Sequence, residues 1–504
     1  MIKIWLISLF VFCSPPLSAY ETEERQRILS YSPEAERFVE IHKSYRGYSY
    51  VLEEGKRISY LPESESKIDN SAVVRMFKKA SFNNGKYRSF YTYRTYQNHA
   101  VVNENGNIIQ LVLRVIPKEN INHNELMDFI SSLQNLEYLS IEFNNERIRE
   151  LNLTKLEELK QIRLYDLDDG IISLPVNSDL EIFKLFSRKD VKINNIKNQK
   201  NLRASDLTGA LLKFSDFENL NNLEVLDLSY SRDQIHDNDV IFNVSKLSKL
   251  RVLFLPTGKN IKSTGLKNLD NLKKLGLGAN NNYSDNIIPK NVEHLYGGGK
   301  INRKIPNLSR NKKLKRLMLR NTSLKDLEGL SDLTDLEEVI IDESKLESLG
   351  GLKNLPSLKT LTIHYGNLKT IGNIHSLDSL EEMELEYHQF ENLDGLKNLP
   401  SLKTLKIDGG TINKLERLEG VDKLRKLVLL NQNITKVENI DHFKNLKYVS
   451  YRGNPIEELD FKNIENLAYC KVDISETKFY DSMSDVDKKK LKNLHRKGNL
   501  NGRQ

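Results

Sequence analysis

Cysteine is almost missing from this chain: two residues in 504, Cys13 and Cys470. That excludes a disulfide framework and any zinc centre built on thiolates. The usual signatures of catalysis are missing as well. There is no H-E-x-x-H, no C-x-x-C, no phosphate-cradling loop ending in G-K-S/T and no G-x-S-x-G elbow. The Gly297–Gly299 run follows an expected strand but lacks the phosphate-loop pattern, and reads as an irregular turn. Ten histidines are scattered; His364, His375 and His388 come nearest to a cluster, yet sit at different places in their local pattern. Charge of one sign is not in excess. A net charge of +7 over this length does not call for nucleic acid or an anionic membrane. Beyond the N-terminus no apolar run approaches the roughly 20 residues that span a bilayer. The expectation is a non-enzymatic, monomeric chain with no cofactor, metal, nucleic acid or transmembrane segment.

The first nineteen residues, MIKIWLISLFVFCSPPLSA, place Lys3 before an apolar run from Ile4 to Phe12 and end on small residues. This order predicts a signal peptide cleaved after Ala19, and therefore an exported protein, whether secreted, periplasmic or surface-held. A buried first strand is the plain alternative. A lipid anchor on Cys13 is disfavoured by the bulky Phe12 before it. After cleavage only Cys470 remains, so no intramolecular disulfide forms.

What is present is repetition. GLKNLPSLKTL occurs at Gly351–Leu361 and again at Gly395–Leu405, 44 residues apart. Apolar residues inside that interval recur with a period of 22, with the first leucine of each unit at Leu314, Leu336, Leu358, Leu380, Leu402, Leu424 and Leu446. The unit from Leu402 continues with Leu405, Ile407, Ile412, Leu415, Leu418 and Val421. In L-x-x-L-x-L the last two leucines alternate and so point to one side of a short strand. The later leucines come every third residue, which suits tight helical turns with one face inward. A single unit cannot bury its apolar side, but stacked units share one core.

Worn copies place earlier strands at Leu136–Ile141, Leu159–Leu164, Leu180–Leu185, Leu202–Leu207, Leu223–Leu228, Leu250–Leu255, Leu272–Leu277 and Val292–Gly297. A last strand is expected at Leu467–Val472, and a first within GNIIQLVLRVIP, with Ile108, Leu111 and Leu113 in phase.

These units resemble the leucine-rich repeats of bacterial internalins and of a protein-phosphatase regulatory subunit of the same repeat class. GNIIQLVLRVIP is similar to the opening repeat of plant-receptor-like bacterial proteins. The resemblance implies an α/β leucine-rich-repeat solenoid, with a parallel sheet on the concave face and short helical or 3-10 turns on the convex face. Secreted animal and plant relatives carry cysteine-paired caps, so their absence here points to a bacterial source. The ninth position of the unit departs from the family pattern. Asparagine stands there only at Asn144, Asn280 and Asn454; other units have Thr322, Ser344, Gly366, His388, Gly410 or Gln432. Buried backbone groups at those turns need other partners.

Residues 20–107 do not repeat. Charged Glu21–Glu40 and Ser71–Phe82 predict helices, and Tyr87–Tyr96 predicts a strand, together a small α+β cap over the open end of a solenoid spanning 108–475. The alternative is a binding module whose tyrosines stack on a sugar or a protein. Residues 476–504 predict a C-terminal cap and a basic tail, solvated or attracted to an anionic surface. Cys470 reads as a buried core thiol. Bacterial leucine-rich-repeat ubiquitin ligases use a cysteine in a large following domain, and only 34 residues follow this one.

With no chemistry in the motifs, function is expected on the exposed sheet face. The outward positions hold Arg316 and Arg320, then Glu338 and Asp342, then His364 with Tyr365. Next come Glu382, Glu384, Glu386 with Tyr387, then Lys406 and Asp408, and further on Tyr448. An acidic middle with basic rims and aromatic anchors suits a protein partner, of a host or of the cell's own envelope. The alternatives are a carbohydrate-binding adhesive surface protein, or an effector with activity in the N-terminal segment.

Overall fold

The computed structural model describes residues 107–114, 123–143, 147–229, 231–233, 240–256, 261–278, 288–298, 308–372, 374–416, 418–459 and 470–496. Before these it describes three strands, β1 (Tyr50–Glu53), β2 (Lys56–Ser59) and β3 (His99–Val102). The expected signal peptide, the helices at Glu21–Glu40 and Ser71–Phe82 and the strand at Tyr87–Tyr96 lie outside the described residues. The chain forms two compact units, Met1–Asp206 with Leu223–Val225, and Leu207–Asn222 with Leu226–Gln504.

In the first unit, β1 and β2 form an antiparallel pair. β3 runs antiparallel to β4 (Ile108–Arg114). From β4 the sheet is parallel, through β5 (Tyr138–Glu142), β7 (Gln161–Leu167) and β9 (Ile182–Asn194). A second parallel ladder joins β6 (Arg147–Asn152), β8 (Asp169–Ser173) and the far half of β9. β9 is 13 residues long and so serves both ladders, pairing Ile182–Ser187 with β7 and Val191–Asn194 with β8. Leu139, Ile141, Ile162, Leu164 and Phe183 are fully buried between the coils.

β10 (Ala204–Leu212) and β11 (Val225–Asp227) are divided between the units. The second unit continues with β12 (Arg232–Asp233), β13 (Val240–Asn243), β14 (Val252–Phe254), β15 (Ile261–Thr264), β16 (Lys274–Gly276) and β17 (His294–Gly298). The regular repeats then supply β18 (Arg316–Arg320), β19 (Glu338–Asp342), β20 (Thr360–His364), β21 (Glu382–Glu386), β22 (Thr404–Asp408) and β23 (Lys426–Leu430). It ends on β24 (Lys436–Val437), β25 (Tyr448–Ser450), β26 (Glu458–Leu459) and β27 (Lys471–Asp473). β14, β16 to β23, β25 and β27 form one parallel ladder. This is the leucine-rich-repeat solenoid expected from the period.

The 22-residue spacing sets the register. Leu317, Val339, Leu361, Met383, Leu405 and Leu427 pair in sequence, and all are fully buried. Ile341, Ile363, Leu385, Ile407 and Leu429 form the adjoining buried column. Each such side chain contributes about 1.5–3 kcal/mol by leaving water. The return path is helical at four places among the described residues, the α-helix His123–Ser131 between β4 and β5 and the 3-10 turns Ile196–Asn198, Phe214–Phe217 and Leu266–Asn268. In the regular repeats it is a chain of tight turns. Left-handed residues such as Gly351 (φ 102°), Asn354 (φ 56°), Gly395 (φ 96°) and Asn398 (φ 57°) interrupt any helix every few residues. At Gly351 a Cβ would fall 2.4 Å from the Leu327 carbonyl carbon, so the glycine of the duplicated GLKNL is required.

The ninth position works as the departure from asparagine suggests. The Asn454 side chain accepts from the Ile434 amide (3.2 Å) and donates to the carbonyls of Leu429 and Tyr451. Gln432 does the same work one coil earlier, accepting from Ile412 N (3.3 Å) and donating to Leu430 O. His388 does not: its ring nitrogens bond no backbone group of a neighbouring coil, and their one backbone interaction, with Phe390, is weak. Its ring lies over Gly410, where a Cβ would come within 2.2 Å of it. The small residue at one coil makes room for the large one beside it.

The last coil departs from the expected register. Lys471, Val472 and Asp473 pair with Tyr448, Val449 and Ser450. Val472 and Ile474, not Cys470 and Val472, therefore take the inward leucine places. Cys470 is still buried, just before the strand. Two short helices follow, Lys478–Ser482, whose N-terminal amide at Tyr480 donates to the Thr477 side chain, and Asp485–Arg496, which buries Leu491 against the end of the stack. No helix among the described residues is long and apolar enough to cross a membrane.

Candidate functional site

Strands β18 to β23 present the residues singled out in the sequence on one sheet face. Inward residues are buried while the alternate ones are half-buried or exposed, except Val428 on β23, which is buried. Because each strand pairs with the next at an offset of one repeat, residues 22 apart sit side by side. Arg316 meets Glu338 (2.6 Å), and Arg320 meets Asp342 (3.3 Å) and Glu343 (3.0 Å). The expected basic rim is thus paired with the near edge of the acidic centre rather than standing apart from it.

The centre is a network across three strands. Lys406 on β22 donates to Glu384 and, at 2.8 Å, to Glu386, both on β21. His364 Nε2 on β20 lies 4.0 Å from Glu384 and 3.9 Å from Glu386. Burial pushes the Glu384 carboxyl up, but the hydrogen bond and charge of Lys406 outweigh it and the net shift is downward. Burial works against the Lys406 ammonium too, and the two glutamates overcome it, so its pKa is raised. His364, Glu384 and Glu386 bring one ligand atom each within 4.8 Å of one another, the geometry of a metal-binding group. The Lys406 ammonium already binds both carboxylates, so a metal ion would have to displace it.

Glu382 is exposed, and neither it nor Asp408 has an ion-pair partner among the described residues; Asp408 accepts from the Asn431 amide at 2.8 Å. Across the face, the seven carboxylates Glu338, Asp342, Glu343, Glu382, Glu384, Glu386 and Asp408 outnumber the four cations Arg316, Arg320, Lys406 and Lys426. Tyr448 lies further along, its hydroxyl donating to Asp473 (3.1 Å) and Lys471 over its ring; it belongs to a separate cluster.

Sequence reasoning did not reveal the conformation of the residue that follows each strand. Asn321, Glu343, Tyr365, Tyr387, Gly409, Asn431 and Gly453 all have positive φ, between 47° and 73°. Glycine and asparagine suit this conformation; tyrosine costs about 1–2 kcal/mol there. Two tyrosines nonetheless occupy it in succession. Their rings stack with centroids 4.8 Å apart and planes 11° apart, and they remain 50% and 54% exposed, so little burial offsets the strain. Burial first, then the neighbouring Tyr365 and the Asp408 and Glu386 carboxylates, push the Tyr387 hydroxyl up against the opposing Lys406 charge. The only cue in the sequence was that both tyrosines follow a strand at the same offset.

In the first unit the outward residues are less accessible. Arg163 and Glu142 are buried, and burial with the nearby Arg163 charge pushes Lys184 down to about 7.

No protein-family model matches the chain, and no curated protein matches it. Solved structures do. An internalin of Listeria monocytogenes aligns with 23% identity and TM-score 0.42, over 56% of this chain and 77% of that one. A leucine-rich-repeat protein of Leptospira interrogans aligns with 18% identity and TM-score 0.43, over 70% and 98%. The plant peptide hormone receptor RGFR1, in complex with RGF2, aligns with 19% identity and TM-score 0.47, over 75% and 67%. The functional reading rests on this chain's own residues.

Proposed function

We propose that this chain is an exported binding protein that recognises a protein partner through the outer sheet face of β18 to β23. The observation that carries the reading is the pairing of exposed, strained, stacked tyrosines with an acidic face whose carboxylates exceed its cations. Rigid aromatic anchors beside patterned charge are what protein interfaces use for affinity and partner choice. Export is supported by the basic–apolar–small order of residues 1–19. The solved plant receptor similar in fold is bound to a peptide hormone. A stacked aromatic surface also suits a sugar ring, which keeps the adhesive reading as the second choice.

The test is affinity capture with the mature chain, from Tyr20, against the same chain carrying Glu382→Lys, Glu384→Gln and Glu386→Gln. A protein retained by the first and lost from the second, with circular dichroism unchanged, supports the reading. Retention of glycans alone would move it to the adhesive reading, and equal protein retention by both chains would move the site off this face.

A further inference from the structure

We infer that the partner presents an arginine-bearing, extended segment whose guanidinium stacks against Tyr387 above Gly409 and bonds Asp408. The inference rests on the protein-binding reading and names the partner chemistry of that same face.

The residues after the strands form a ladder of side chains, one rung per coil, spaced by the distance between neighbouring strands, about 4.8 Å. The two tyrosines occupy adjacent rungs, and their 4.8 Å centroid separation is that spacing. The next rung is Gly409, with φ 66°. A Cβ there would lie 3.0 Å from the Tyr387 ring, so the ring leans over the glycine, which carries no side chain to cover the outer part of its far face. The rung beyond is Asn431, whose amide nitrogen donates to Asp408. Gly409 is therefore a rung without a side chain between the Tyr387 ring and Asn431. At its foot stands Asp408, with one carboxylate oxygen engaged by Asn431 and no cation paired to it among the described residues.

Three chemical requirements follow for an occupant. It must be flat enough to take one rung of the ladder. It must be positive, because Asp408, next to Gly409, has no cation paired to it among the described residues, whereas Glu386 is already paired with Lys406. It must also donate in its own plane, toward Asp408. A guanidinium meets all three; an ammonium meets only the charge requirement. Of the protein's own cations, Lys406 is committed to Glu384 and Glu386, Arg320 to Asp342 and Glu343, and Arg316 to Glu338, while Lys426 stands at the opposite end of β23 from Leu430, the residue that pairs with Asp408. The occupant must therefore come from the partner. An extended chain suits the site because the carboxylates run along a flat sheet face.

The experiment uses the mature full chain and three synthetic peptides of alternating glycine with arginine, lysine or citrulline, titrated calorimetrically at low and physiological salt. The arginine peptide should bind at least fivefold more tightly than the lysine peptide, and the uncharged citrulline peptide should not bind. Tyr387→Asn and Asp408→Asn should each weaken the arginine peptide about tenfold. Asparagine already fills the Tyr387 position at Asn321 and Asn431, so that variant keeps the backbone the turn demands. Equal binding of arginine and lysine peptides, no binding of either, or indifference to Tyr387→Asn would overturn the proposal. Failure here is distinct from failure of the protein-binding reading. A captured partner that depends on Glu382, Glu384 and Glu386 but not on Tyr387 leaves that reading standing and removes this one. Tyr387-dependent arginine binding with no captured protein does the reverse.

Discussion

The imidazole of His388 lies face to face with the Phe390 ring, centroids 3.6 Å apart and planes 14° apart, in a coil position built for an amide. At the equivalent place Asn454 makes hydrogen bonds to both neighbouring coils, whereas His388 has only a weak backbone interaction with Phe390. It behaves as a buried aromatic ring, and carrying a charge there is costly.

That arrangement sets an acid dependence. Burial pushes His388 down to about 4 from an ordinary 6.5. As pH falls, the unfolded chain takes up the proton first. The contribution to stability is whole above 6.5, declines between 6.5 and 4, and levels off below. The loss is on the order of 3 kcal/mol. In His388→Asn, the decline in urea stability between pH 7 and 4 should shrink by roughly that amount, with stability at pH 7 within about 1 kcal/mol of the parent. An unchanged acid slope would show that His388 is protonated while folded.

Lys406 holds Glu384 and Glu386 together on a half-buried face. Lys406→Met leaves those two carboxylates without their shared cation. The site lies between exposed pairs, worth under 1 kcal/mol, and buried ones, whose breaking costs several. A loss of about 1–3 kcal/mol at pH 7 is expected in urea unfolding. Glu384 loses the cation that holds its carboxyl below the ordinary 4.5, so the deficit should be whole above 4.5 and narrow as pH falls below it. A deficit independent of pH would mean that lost packing, not charge, is responsible.

Cys470 should be chemically silent. It is buried, and burial pushes its thiol up to about 12. At pH 8 a disulfide reagent should label it only after unfolding, because the thiolate is the reactive form. Rapid labelling of native protein would place it at an accessible site and reopen a covalent role.

Deleting Gly351–Asp394 joins Gly350 to Gly395, restores GLKNLPSLKTL and removes β20 and β21 whole. Thr404 would then face Glu338 in the same register. Stacked repeats contribute to stability through local and nearest-neighbour terms, so circular dichroism should show a folded chain. It should no longer bind the arginine peptide, having lost Tyr387. Leu361→Ala in the full chain keeps every repeat yet opens a cavity in a fully buried column, at a cost of about 2–5 kcal/mol. A deletion that unfolds, beside a tolerated Leu361→Ala, would contradict the repeat register.

The sequence by itself determined the repeat, its register and the face on which the charged residues stand. A period of 22 places Leu317, Val339, Leu361, Met383, Leu405 and Leu427 in one buried column, and every alternate residue then points outward. Among the described residues the spacing fails in the last coil, where Val472 and Ile474 rather than Cys470 and Val472 take the inward places. Tertiary structure decided which outward residues act together. Arg320 pairs with Asp342 and Glu343, Lys406 bonds both glutamates of the preceding strand, and Tyr365 meets Tyr387. Such contacts depend on rotamers and on a left-handed turn shared by successive coils, which periodicity does not encode. Hydrophobic burial repeats every coil and so is legible from spacing. A side chain's partner across the face is set by the one residue 22 positions away and by what that residue leaves open, as Gly409 does for Tyr387.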